Sequence, residues 1–72
     1  METVESISIT VNGEPKTAPS GATVSQLLES LALRPGRVAI ERNQQILPRS
    51  EWATTQLAPG DRYEIVQFVG GG

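Results

Sequence analysis

The sequence contains no cysteine and no histidine, and its 72 residues include a single tryptophan, a single tyrosine and a single phenylalanine. Without cysteine there is no disulfide framework, no thiol nucleophile and no thiolate metal site. Without histidine the commonest general base and the commonest zinc ligand are missing as well. No side chain is left to activate the remaining hydroxyls, so the chain is expected not to be an enzyme in its own right. Charge of one sign is scarce too. Six basic residues against eight acidic ones, a net charge of −2, leave no concentrated basic patch for nucleic acid. No apolar run exceeds four residues, against the ~20 that a membrane-spanning helix needs. The opening Met1-Glu2-Thr3-Val4-Glu5 carries acids where a signal peptide carries bases. These counts point to a single soluble, cytoplasmic domain with no nucleic-acid or membrane partner.

What is present is patterned. Ser6 to Val11 alternates strictly, with Ile7, Ile9 and Val11 on one face, which predicts a half-buried strand. Asn12-Gly13 is a strong hairpin signal, and the return strand from Glu14 to about Ala18 begins beside Pro15, which assigns it to a sheet edge. Pro19-Ser20-Gly21 breaks the pattern. Thr23, with Gln26 three residues later, opens a helix whose apolar stripe is Val24, Leu27, Leu28 and Leu31. Pro35-Gly36 is expected to stop it. Arg37 to Arg42 reads as a third strand with Val38 and Ile40 inward, Asn43-Gln44 as a turn, and Gln45 to Leu47 as a brief fourth strand. Ser50 is expected to cap a single helical turn through Glu51, Trp52 and Ala53, with Trp52 plugging the end of the core. Ala58-Pro59-Gly60-Asp61 is a turn by composition, and the last strand runs from Arg62 to Phe68. The order is β-β-α-β-β-β, an α+β roll in which one helix crosses a mixed five-stranded sheet. The last strand is expected to be central, beside the first.

Candidate functional residues gather at the end of the chain. With Glu64 facing solvent, Tyr63, Ile65 and Gln67 turn inward, while Val66 and Phe68 share the outward face. Two apolar residues there predict a surface kept for a partner, or a Phe68 folded over the sheet edge. Three of the seven glycines, Gly70, Gly71 and Gly72, are the last three residues. The expected organisation is a domain over residues 1–69 and a glycine tail over 70–72. That tail reads as a frayed end, a linker remnant or a slender probe. In the last case three extended residues reach ~10 Å, and glycine passes a channel where any Cβ clashes. The group delivered is then the Gly72 carboxylate, which another protein has to activate. Glu41, Glu51, Asp61 and Glu64 lack a metal-ligand spacing and read as solvated charges. Arg34, Arg37, Arg42 and Arg49 read as solubilising. No metal and no bound cofactor is expected.

Taken in order, these stretches resemble a known family. They are Ile9-Thr10-Val11-Asn12-Gly13, Thr23-Val24 with Leu27-Leu28, Val38-Ala39-Ile40-Glu41-Arg42-Asn43, Ile46, Pro48-Arg49-Ser50-Glu51-Trp52, Gly60-Asp61, Glu64-Ile65-Val66 and Phe68-Val69-Gly70-Gly71-Gly72. The set is similar to the ThiS family, the sulfur carriers of thiamine biosynthesis, within the ubiquitin-like β-grasp fold. Pro15, Pro19 and the lead from Met1 to Glu5 are less typical of it. The resemblance implies that an E1-like adenylyltransferase activates the carboxylate of Gly72 with ATP and magnesium. A persulfide-type sulfur donor then converts it to a thiocarboxylate, which thiazole synthase consumes. It further implies that Gly70 and Gly71 form the tail, and that Val66, Phe68 and Val69 form an apolar docking surface. The small subunit of molybdopterin synthase, a ubiquitin-like modifier joined through Gly72 and a binding-only module are the alternatives.

Overall fold

The computed structural model describes residues 5–68. Strand β1 (Ser6–Val11) turns through Asn12-Gly13 into β2 (Glu14–Pro19), and helix α1 (Val24–Ser30) follows. A 3-10 turn (Pro35–Arg37) leads into β3 (Val38–Arg42), which pairs with the two-residue β4 (Gln45–Ile46). A second 3-10 turn (Arg49–Glu51) precedes β5 (Arg62–Gln67). The sheet order is β2-β1-β5-β3-β4, with β5 central, parallel to β1 and antiparallel to β3. This is the ubiquitin-like β-grasp roll expected from the sequence.

Both hairpin turns place two residues in the left-handed region, Asn12 (φ 52°) with Gly13 (φ 83°) and Asn43 (φ 51°) with Gln44 (φ 71°). Such turns match the twist of the strands they join, and asparagine tolerates the conformation best after glycine. A two-residue turn makes Val11 and Glu14 a hydrogen-bonded pair, so bonded and non-bonded pairs alternate along β1–β2. Pro15, Thr17 and Pro19 therefore fall where the backbone nitrogen points away from β1. Two of those three positions have no N–H to offer.

The capping box forms as the sequence predicts. Thr23 Oγ1 accepts from the Gln26 N–H at 3.2 Å, and Gln26 Oε1 accepts from the Thr23 N–H at 2.9 Å. The helix ends earlier than expected, at Ser30 rather than at Pro35-Gly36. Ala32 adopts φ 58°, and the N–H groups of Ala32 and Leu33 close back on the carbonyls of Glu29 and Leu28. That is a Schellman ending with alanine in the position glycine usually fills. Ala32→Gly is therefore expected to stabilise the domain by about 0.5–1 kcal/mol in urea denaturation, because relief of the left-handed strain outweighs the added freedom of the unfolded chain. A loss of stability would show that Ala32 is not strained.

The core joins Val24, Leu27 and Leu28 of the helix to Ile9, Val11, Val38, Ile40, Tyr63 and Ile65 of the sheet. Trp52 is buried as expected, and its indole Nε1–H donates to the Leu47 carbonyl at 2.9 Å. One expectation fails here. Ser50 does not cap the turn before Trp52, since that turn starts at Pro48 with no side-chain cap. Gln67 shares the inward side with Ile65 as expected, and it is exposed there at the rim of a groove.

Candidate functional site

The site is built on β5. Its pairing with β3 sets Val66 opposite Ala39 and Glu64 opposite Glu41, while Ile46 of β4 continues the row beyond Glu41. Paired residues share a face, so Val66, Ala39 and Ile46 line the side of the sheet away from the helix. Phe68 follows in the same alternation, held by its N–H on the carbonyl of Arg37, the residue before β3, at 2.8 Å. Val66 and Phe68 are each 58% exposed, and Ile46 is 77% exposed. An apolar strip thus flanks the acidic pair Glu41 and Glu64 and leads toward the end of the chain. Val69 and the glycines Gly70, Gly71 and Gly72 lie outside the described residues. Ile46 belongs to this face but escapes sequence reasoning, because only the β3–β4 register puts it there.

The base of β5 is fixed by polar groups. Asp61, read from the sequence as a solvated charge, is instead 5% exposed. It accepts from Tyr63 Oη at 2.8 Å, the Ala58 N–H at 2.9 Å, Arg42 Nε at 3.0 Å and Asn43 Nδ2 at 3.2 Å. Burial pushes its carboxyl up, but the bonds from Ala58, Tyr63, Asn43 and Arg42 outweigh it and hold it below its ordinary value. Burial first, and the bond to Asp61 second, push the Tyr63 hydroxyl up to about 12. Arg42's own bond to Asp61 raises its guanidinium in turn and ties its charge to that carboxylate.

The two turn asparagines add a second tie. Asn43 Oδ1 accepts from the Arg62 N–H at 2.9 Å. Asn12 holds the peptide of Ile65 from both sides, accepting its N–H at 2.8 Å and donating to its carbonyl at 3.1 Å. Sequence reasoning saw these residues only as turn formers. Their recurrence at the first position of both turns was the available signal.

A pH dependence follows. A lowered Asp61 supplies stability that is complete above the ordinary carboxylate range and is lost as pH falls below ~4. A raised Tyr63 supplies stability that is complete below pH ~10 and is lost on the way to the folded value of about 12. Because Tyr63 is the single tyrosine, its phenolate absorbance titrates it directly. The expected midpoint is about 12 in the folded protein, and a midpoint at the free value would show that Tyr63 is neither buried nor bonded to Asp61.

Chemically the described surface offers an exposed apolar strip and a braced strand. Among the described residues no group of three acidic side chains is placed to hold a metal ion, and no helix is long and apolar enough to cross a membrane. Comparison with known proteins supplies what geometry alone does not. The family model of ThiS matches residues 9–72. The chain belongs to the ThiS family. It is 38% identical over 64 residues to the sulfur carrier protein ThiS of Escherichia coli K12, covering 89% of this chain and 97% of that one. A crystal structure of the thiamine biosynthesis protein ThiS of Geobacter metallireducens superposes with a TM-score of 0.78 at 33% identity, covering 92% of this chain and all of the other. A thiazole synthase of Magnetococcus marinus is 41% identical over 64 residues, 89% of this ThiS-family chain. The chain spans about a fifth of the length of the two thiazole synthases it matches.

Proposed function

We propose that this protein is a sulfur carrier of thiamine biosynthesis, a substrate of its partner enzymes and not itself a catalyst. The observation that carries the reading is the stretch it shares with two thiazole synthases. About 64 residues like these form a minor part of chains named for thiazole formation, which favours thiazole synthase as the partner that takes the cargo. The chemistry is that of a carboxylate with no helper on its own chain. An oxygen of the Gly72 carboxylate attacks the α-phosphorus of ATP on an E1-like adenylyltransferase that uses magnesium, and pyrophosphate leaves. The terminal sulfur of a persulfide-type donor then attacks the acyl carbon and AMP leaves, giving an acyl disulfide. A thiol attacks the donor-side sulfur of that disulfide, is itself oxidised to a disulfide, and releases the end of the chain as a thiocarboxylate. Gly70 and Gly71 keep the approach to the acyl carbon free of side chains. The strip of Val66 and Phe68, with Val69 beyond it, docks the partners. ATP is plentiful in the cytoplasm, and that is where we place the cycle.

Intact-mass measurement tests this. Incubation with the adenylyltransferase, ATP, magnesium and a sulfur donor is expected to replace one oxygen of Gly72 with sulfur, and thiazole synthase is expected to reverse the gain. Heavier lysine conjugates would instead identify a modifier, and an unchanged mass would refute carriage. Phe68→Asp is expected to weaken partner binding by about 10- to 100-fold, with stability held within ~0.5 kcal/mol as for an exposed position. If the variant unfolds, Phe68 belongs to the core.

A further inference from the structure

The hydrogen-bond register of β5 leaves one residue open beside a groove. In the β3–β5 ladder, Asn43 donates to the Arg62 carbonyl and Phe68 to that of Arg37, so Arg62, Glu64, Val66 and Phe68 turn their backbone groups toward β3. Tyr63, Ile65 and Gln67 turn theirs the other way. The Asn12 N–H takes the Tyr63 carbonyl at 2.8 Å, and the Asn12 side chain takes both groups of Ile65. There β1 has already turned away into its hairpin. The N–H and carbonyl of Gln67 have no partner among the described residues. Next to them lies a groove of about 280 Å³ between the hairpin and the chain leaving the helix. Val11, Leu31, Leu33 and Ile65 contribute to its wall, and Glu14 and Lys16 charge it.

We infer that an extended segment of thiazole synthase adds to the sheet here, exchanging two backbone hydrogen bonds with Gln67. The inference rests on the carrier reading above and specifies how the partner docks. Two observations select an extended backbone as the occupant, and the stretch shared with two thiazole synthases selects its source. A free N–H and carbonyl on one residue are recognised by another backbone in extended form. The residue that pairs with Gln67 also shares its face of the sheet, and that is the face on which the groove opens. The groove has room for one aliphatic or aromatic side chain. Strand addition at this point also aligns the partner with the strand that leads to Gly72. The far edge is a poorer template, since Pro15 and Pro19 remove two of the three outward N–H groups of β2.

Amide exchange on the isotope-labelled full chain tests the inference, without and with the thiazole synthase of the same genome. The Gln67 amide is expected to slow at least about tenfold in the complex. Two substitutions supply a second reading. Gln67→Pro removes the outward N–H and spares the β3 ladder, as Pro15 and Pro19 spare that of β1, whereas Gln67→Ala keeps the N–H. The proline variant is expected to bind about tenfold more weakly than the alanine variant, the weight of one backbone hydrogen bond. Binding with Gln67 exchange unchanged would overturn strand addition and leave the carrier reading standing. So would protection that appears with the adenylyltransferase and not with the synthase. A wild-type chain that gains sulfur yet never binds the synthase would overturn both. Should the proline variant fail to fold, the exchange measurement on the wild-type chain decides.

Discussion

Removal of Gly71 and Gly72 is expected to abolish sulfur loading while leaving the melting temperature unchanged. The truncated chain ends on Gly70 and still carries an α-carboxylate of the same intrinsic reactivity. What it loses is about 7 Å of reach. Adenylation requires the carboxylate oxygen within ~3–3.5 Å of the phosphorus it attacks, and a misplacement of ~1 Å already costs about 100-fold in rate. Two missing residues thus place the group out of range altogether. The core runs from Ile9 to Ile65 and lies upstream of the cut, so folding has no stake in it. Removal of Gly72 alone tests the argument at half the distance and is also expected to fail. Thiocarboxylate formation in either truncation, read by intact mass, would show that Gly72 is not the group modified.

Asp61→Ala is expected to destabilise the domain by roughly 2–4 kcal/mol, because it removes a buried acceptor shared by four donors. Tyr63 Oη loses its partner where the ring is 1% exposed, and the Ala58 N–H loses the cap that closes its turn. For a chain of this length total stability is about 4–10 kcal/mol, so the variant is expected to be partly unfolded at physiological temperature. Asp61→Asn keeps the shape and one of the two acceptor oxygens, without the charge, and is expected to lose about half as much. Urea denaturation followed by Trp52 fluorescence measures both. A loss below ~1 kcal/mol for the alanine variant would mean that water replaces the carboxylate without cost.

How far the sequence reveals this architecture depends on whether a feature is local. The β1–β2 hairpin was legible because alternation and Asn12-Gly13 act within a few residues, and the start of α1 because Thr23 and Gln26 satisfy one another. The end of α1 was not, because its left-handed residue is Ala32, which carries no signature. Asp61 was misread for a related reason. Pro59-Gly60-Asp61 looks like an exposed turn, and only the pairing of β3 with β5 brings in Arg42 and Asn43, the two distant donors to the carboxylate. The outward side of β5 could be read from alternation at Val66 and Phe68. The open flank at Gln67 could not, since it depends on where a distant strand stops.

Pro15 and Pro19 have a consequence beyond geometry. A carrier returns to its carboxylate form after each delivery, so every copy persists and any bare sheet edge stays open to other copies of the same chain. One N–H, that of Thr17, is too few to seed a ladder between molecules. At the opposite side of the sheet β4 is only two residues long. The prolines are thereby expected to raise the concentration up to which the domain stays monomeric. Replacing both is expected to leave the fold intact and lower that ceiling, so an edge strand remote from β5 sets how concentrated the domain can become.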